Sequence, residues 1–249
     1  MRERDGVPID PIYRGQAVSE WPLVAPSHRD DYRRVLEMRH RGISVNFHPS
    51  QVTRGQVKYF KHLATAMPGV DITSLAYIDV EALSRHHGLC SDLLDWTSSP
   101  YVAAFFAFTE ALDRANDRRL SGGTIENEIV RIPTGIVAVW RLGLHEKLWV
   151  QGEFECLTSL SNVNYWQKAQ RGMFTRLSHA DYREIAEYLE FRKLNGALTR
   201  FTIPGRETGK ALTDLEAMNV TYATLFPDLR GAALQANVGM TWRMLPHFP

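Results

Sequence analysis

Residues 86–108 read HHGLCSDLLDWTSSPYVAAFFAF and set a polar cluster directly against an apolar run. Leu93 and Leu94 have the character of a buried strand, with Asp95 and Trp96 at its end. Three hydroxyls, Thr97, Ser98 and Ser99, then precede Pro100. Proline suits the first turn of a helix, where its missing N–H is not needed, and Ser99 suits the cap before it. Residues 101–114 are apolar nearly all round, the pattern of a helix buried on every side. The stretch therefore predicts a strand, a tight turn and a buried helix. Capping accounts for Ser99 and Pro100 but leaves His87, Asp95, Trp96 and Thr97 without an architectural role. Such a junction also presents backbone N–H groups at the positive end of a helix, which suits a phosphate or carboxylate ligand.

Working outward, apolar spacing predicts helices over 29–41, 51–66, 181–194 and 209–218, with Asp79 capping a short one that stops at Gly88. In 51–66 the inward face carries Val57, Phe60, Leu63 and Ala64. Strand character falls on 11–15, 93–96, 135–142, 201–203 and 221–226, and 135–142 (GIVAVWRL) reads as central. The polar, Gly- and Pro-marked stretch 114–135 reads as a loop between layers. Helices and strands do not alternate with a βαβ beat. The expected fold is α+β, with packed helices on a mixed or antiparallel central sheet, in a single domain over 1–249.

The chain has 249 residues, 44% hydrophobic and 23% charged, and a net charge of +1. A core of useful size is within reach without metals or disulfides. The near-zero net charge argues against a general attraction to nucleic acid or membranes. Charge is uneven, however: residues 28–61 hold eight Lys/Arg (Arg29 to Lys61) against Asp30, Asp31 and Glu37. That segment could form a basic face for nucleic acid. Two distant cysteines, Cys90 and Cys156, make no disulfide framework and suit a reducing, cytoplasmic setting. No run approaches the ~18 apolar residues of a membrane span.

Several motifs fail their physical tests. PGRETGKAL (204–212) resembles a phosphate loop, but it is one residue short and Ala211 stands where the magnesium-binding hydroxyl belongs. His86 and His87 are adjacent, about 100° apart on a helix, so they do not share a metal, and no metal site is expected. YRGQ (13–16) is more informative. On a strand Arg14 and Gln16 share a face, and Gly15 admits a close backbone or ligand. Arginine there suits a phosphate or carboxylate ligand, although from this tetrapeptide alone a surface or carboxylate-paired arginine is the better reading. QGEFECL (151–157) puts Glu153 and Glu155 on one strand face, a spacing that serves general-base chemistry when it borders a cleft. In 164–177, Gln170 precedes Arg171-Gly172 and could hydrogen-bond a sugar or base.

Together these pieces resemble the FRG domain family. Tyr13-Arg14-Gly15-Gln16 resembles its Phe-Arg-Gly signature. WPLVAPSHR (21–29) is similar to the segment that follows, and LSRHHGLCSDLLDWTSSPYVAAFFA (83–107) to its central motif. AQRGMFT (169–175) and TLFPDLRGAA (224–233) resemble later elements. Cys90, Ser91 and Asp92 depart from the family's Pro-Thr-Arg, and Asp92 reverses a charge. The motif layout is also similar to that of ADP-ribosyltransferases. That likeness implies an enzyme using NAD as substrate to modify a nucleic acid or protein, in the manner of a bacterial or phage effector or toxin with a cognate regulator or antitoxin. It implies catalytic roles for Arg14, Gln170 and Glu155, Glu155 or Glu153 supplying the carboxylate that Gln170 lacks. It implies an NAD pocket from Arg14, Gln16, His87, Asp95, Trp96, Thr97 and Ser98. The alternative is a non-catalytic module binding nucleic acid or nucleotide.

Overall fold

The computed structural model describes residues 3–4, 7–8, 10–32, 49–116, 131–143, 148–158, 165–179 and 181–243. Its strands are β1 (Glu3–Arg4), β2 (Val7–Pro8), β3 (Ile12–Gln16), β4 (Leu93–Thr97), β5 (Ile136–Leu142), β6 (Phe154–Leu157), β7 (Gly172–Leu177) and β8 (Leu198–Pro204). Its α-helices are α1 (Pro49–Thr65), α2 (Tyr77–His86), α3 (Pro100–Asn116), α4 (Tyr165–Ala169), α5 (Ile185–Phe191), α6 (Thr208–Ala217), α7 (Tyr222–Leu225) and α8 (Leu229–Arg243). β1 and β2 pair with each other. The other six strands form one antiparallel sheet in the order β6-β7-β4-β3-β5-β8. The fold is thus α+β with an antiparallel sheet. Among the described residues no helix is long and apolar enough to cross a membrane.

Strand alternation divides the core between the two sheet faces. On one face Val137 of β5 joins Phe105, Phe108 and Leu112 of α3, Leu215 of α6 and Trp242 of α8. On the other, Leu142 of β5 joins Ile12, Leu94, Trp96, Phe154 and Tyr188. Phe105 and Leu112 are almost completely buried, and burial of side chains of that size contributes about 1.5–3 kcal/mol each.

The predicted strand–turn–helix is present. Ser99 accepts from the Val102 N–H at 3.4 Å, and α3 starts at Pro100. Gly88 stops α2 in the left-handed region at φ 90. Gly15 answers a different need. A Cβ built there would sit 1.9 Å from the Ala103 carbonyl oxygen, so α3 rests directly on the β3 backbone. Of the α1 face, Val57 and Ala64 are buried, whereas Leu63 is exposed.

Other expectations need correction. The expected strand over 221–226 is instead α7 with Thr221 and Phe226 as its caps, because Thr221 and Thr224 make a reciprocal capping box. The helix expected over 181–194 begins only at Ile185, since Glu184 is held in an extended bridge to Val24. Asp79 lies inside the first turn of α2 and does not cap it. Most of the expected 29–41 helix and of the 114–135 loop lies outside the described residues.

Replacing Gly15 with alanine should lower stability by about 1–3 kcal/mol or more through overpacking against α3. A lowered urea midpoint at unchanged slope would register this; an unshifted midpoint would mean the helix can retreat without cost.

Candidate functional site

The sheet is nearly split in its middle. β3 and β4 share one paired position, Tyr13 opposite Thr97, whereas β3 with β5 and β4 with β7 each share five. Past that point backbone groups on the facing edges lack a strand partner, and a buried group left so would cost stability. Arg14 fills the gap: its Nη1 donates to the Asp95 carbonyl oxygen at 2.8 Å and lies 4.0 Å from the Asp95 carboxylate. The Arg14 side chain is only 16% exposed. Its Nε is buried without a partner among the described residues. Burial pulls the guanidinium down to about 10 from its usual 12.5, and Asp95 opposes the shift. At neutral pH it remains a cation.

A second arginine completes the arrangement. Arg85 of α2 pairs with the Asp95 carboxylate, donates to the Leu93 carbonyl and donates to Ser91 Oγ at 2.7 Å. Asp95 is therefore held between two guanidinium groups while half of its side chain stays exposed. Asp92 takes no part in this cluster. Its buried carboxylate accepts from Ser27 Oγ at 2.6 Å and Thr53 Oγ1 at 3.3 Å, tying the 26–28 turn and α1 to the approach of β4. The guanidinium that meets Asp95 beside Arg14 thus comes from residue 85.

The split opens into a cleft of about 290 Å³. Arg14, Asp95, Glu110 and Gln170 give it polar groups, and Tyr13, Trp96, Phe106 and Phe226 give it flat apolar walls. Phe106 and Phe226 meet edge to face, centroids 6.2 Å apart. Thr97 also lines the cleft, but its hydroxyl braces the junction: it donates to the Gln170 carbonyl at 2.7 Å and accepts from the Ser99 N–H. The Gln170 amide nitrogen donates to the Leu225 carbonyl at 3.3 Å. Trp96 donates its indole N–H to Thr175 Oγ1 at 2.8 Å.

The tertiary structure brings together Arg14, Asp95, Trp96, Thr97 and Gln170, although they come from three separate segments. Other expected residues lie elsewhere. Gln16 is buried, accepting from the Trp140 indole at 2.6 Å, and borders a neighbouring groove with Arg14. His87 ends α2 and stacks on Phe60; His86 lines the cleft instead. Ser98 fixes the turn through its backbone N–H to the Arg171 carbonyl and is not among the cleft-lining residues. Glu155 sits on edge strand β6, 3.6 Å from Arg176, and Glu153 accepts from the Tyr188 hydroxyl. Neither glutamate lines the cleft; the carboxylates that do are Asp95 and Glu110.

Glu110 had a signal in the sequence. It shares one helical stripe with Ala103 and Phe106, an acid on an otherwise apolar face. Phe226 had none, because its approach depends on the α7 turn. The two cysteines are free, and burial pushes the Cys156 thiol up to about 12, so neither supplies a ready thiolate. Among the described residues no cluster could hold a metal ion.

Residues 10–116 match the model of the FRG domain family, a span that takes in β3, α1, α2, β4 and α3. No curated protein and no solved structure is found to match the chain. The matched span contains Arg14, Arg85, Asp95 and Glu110; Gln170 and Phe226 follow it.

Asp92→Ala should destabilise the protein by about 1–3 kcal/mol, because it strands the buried Ser27 hydroxyl, whereas Thr53 keeps the Ser50 carbonyl. Thermal melting would measure this. An unchanged melting temperature would show that the carboxylate does not anchor the approach to β4.

Proposed function

We propose that this protein is an ADP-ribosyltransferase-like enzyme that uses NAD to modify a nucleic-acid or protein acceptor, working as a cytoplasmic effector or toxin under a cognate regulator. The observation that carries this reading is a buried, charged arginine at the mouth of an aromatic cleft in a split sheet. Such a cation suits a pyrophosphate, and flat apolar walls suit a planar ring such as nicotinamide.

In the reaction proposed, the bond between nicotinamide nitrogen and ribose C1′ breaks. Its electron pair stays with nicotinamide and neutralises the ring's charge. The positive charge that develops on the sugar is met by the cleft carboxylates, Asp95 and Glu110, in place of the glutamates expected at 153 and 155. An acceptor oxygen or nitrogen then bonds to C1′ and releases its proton. Arg85 serves as a positioning residue by holding Asp95, and Thr97 by holding the loop that carries Gln170. Gln170 orients a hydroxyl or amide and cannot act as a base. Among the described basic residues of the 28–61 segment, Arg29, Arg54 and Lys58 are exposed. They are candidates for guiding a nucleic-acid acceptor through its phosphates.

Incubation with nicotinamide-labelled NAD should release nicotinamide, and Arg14→Ala should reduce NAD affinity by at least about tenfold, the loss of one charge-assisted contact. Wild-type protein that neither binds nor cleaves NAD would end the proposal. NAD affinity should also stay level through neutral pH and fall as pH rises past about 10, where Arg14 loses its proton and its hold on phosphate. Titration of binding against pH would show this; a fall centred near neutrality would assign the anion to another group.

A further inference from the structure

A second cavity adjoins the cleft. It is a polar groove of about 770 Å³, and its lining shares Arg14 and Glu110 with that of the cleft. The far wall brings Arg114 from the end of α3, Arg183 and Glu187 from the α5 region, and Trp21. The Arg114 guanidinium lies over the Trp21 ring at 4.8 Å, so its charge is fixed at the groove wall. Among the described residues no ion pair joins Arg114 or Arg183 to a carboxylate. Glu184, Asp30 and Asp31 also line this groove, so it offers charges of both signs.

Size decides how the two spaces are used. Pockets that enclose drug-sized ligands span about 300 to 1,000 Å³, so the cleft alone, at about 290 Å³, suits one ring with its sugar and not a dinucleotide. We infer that a dinucleotide occupies both cavities, with its ring-and-ribose end in the aromatic cleft, its phosphates at Arg14, and its adenosine end in the groove. This inference rests on the NAD reading above and adds the second subsite. The mixed charge of the groove fits that occupant. Arginines bind phosphate oxygens, carboxylates accept from ribose hydroxyls, and an aromatic wall meets a base. A purely anionic polymer would be repelled by the five acids; a purely cationic peptide, by the arginines.

The test compares NAD with nicotinamide mononucleotide, which ends at the first phosphate. Binding of each is measured by calorimetry to wild-type protein, Arg114→Ala and Arg183→Ala. Both positions are exposed, and melting curves check that the variants fold. NAD should bind wild-type protein more tightly than the mononucleotide. Each variant should lose about tenfold in NAD affinity, one charge-assisted contact, while mononucleotide affinity stays unchanged. Equal affinity for the two ligands, unaltered in the variants, would overturn the groove assignment and leave the cleft reading standing. Variants that keep NAD affinity but slow transfer to an acceptor would also overturn it and give the groove to the acceptor. Wild-type protein that binds neither ligand would remove the NAD reading itself.

Discussion

The site depends on how one guanidinium compensates for a missing strand contact. β3 and β4 pair at a single position, and Arg14 takes over by donating to the Asp95 carbonyl. A backbone acceptor is thereby satisfied by a side chain instead of a neighbouring strand. The same contact keeps the split open as a cleft and leaves a cation at its mouth. A fully zipped β3–β4 ladder would be simpler architecture, but it would leave no room for a ligand.

Holding that opening requires rigidity around it. Gly15 lets α3 rest on the back of β3, so Arg14 projects from a strand that cannot retreat. Asp92, Ser27 and Thr53 lock the approach to β4, and Arg85 holds both the Leu93 carbonyl and the Asp95 carboxylate. Thr97 and Ser99 lock its exit onto the Gln170 loop and α3. The hydroxyl cluster that suggested ligand binding is thus largely spent on positioning. Arg14, Asp95 and Glu110 are left as charged groups on the cleft wall. Asp92 is used in the same way: the acid serves structure, and Arg85 meets Asp95 beside Arg14.

Much of this was legible in the chain because it rests on local rules. Pro100 after three hydroxyls marks a helix start wherever it occurs, and Gly88 marks a stop, because their backbone preferences act over one or two residues. The β-rich run at 135–142 and the apolar run at 101–114 carry their own burial signals. Residues 221–226 misled because Tyr222, Leu225 and Phe226 have strand-like composition, whereas a capping box between two threonines determined the outcome. The glutamates of 151–157 were likewise sound candidates by type; only the tertiary structure sets Glu155 on β6, across β7 from β4, and Glu153 in the turn before it.

By itself the sequence determined the class of fold, the strand–turn–helix at 93–114 and the FRG likeness that the family match bears out over residues 10–116. All of these follow from periodicity, turn chemistry and short motifs. Tertiary structure alone decided which charged groups share a hollow. It chose His86 over His87, Glu110 over Glu155, and joined the groove at Trp21 and Arg114 to the cleft. The physical reason is that such choices depend on strand order and on the pairing register of β3 with β4. Both are long-range packing outcomes, in which the identity of any one residue has little say.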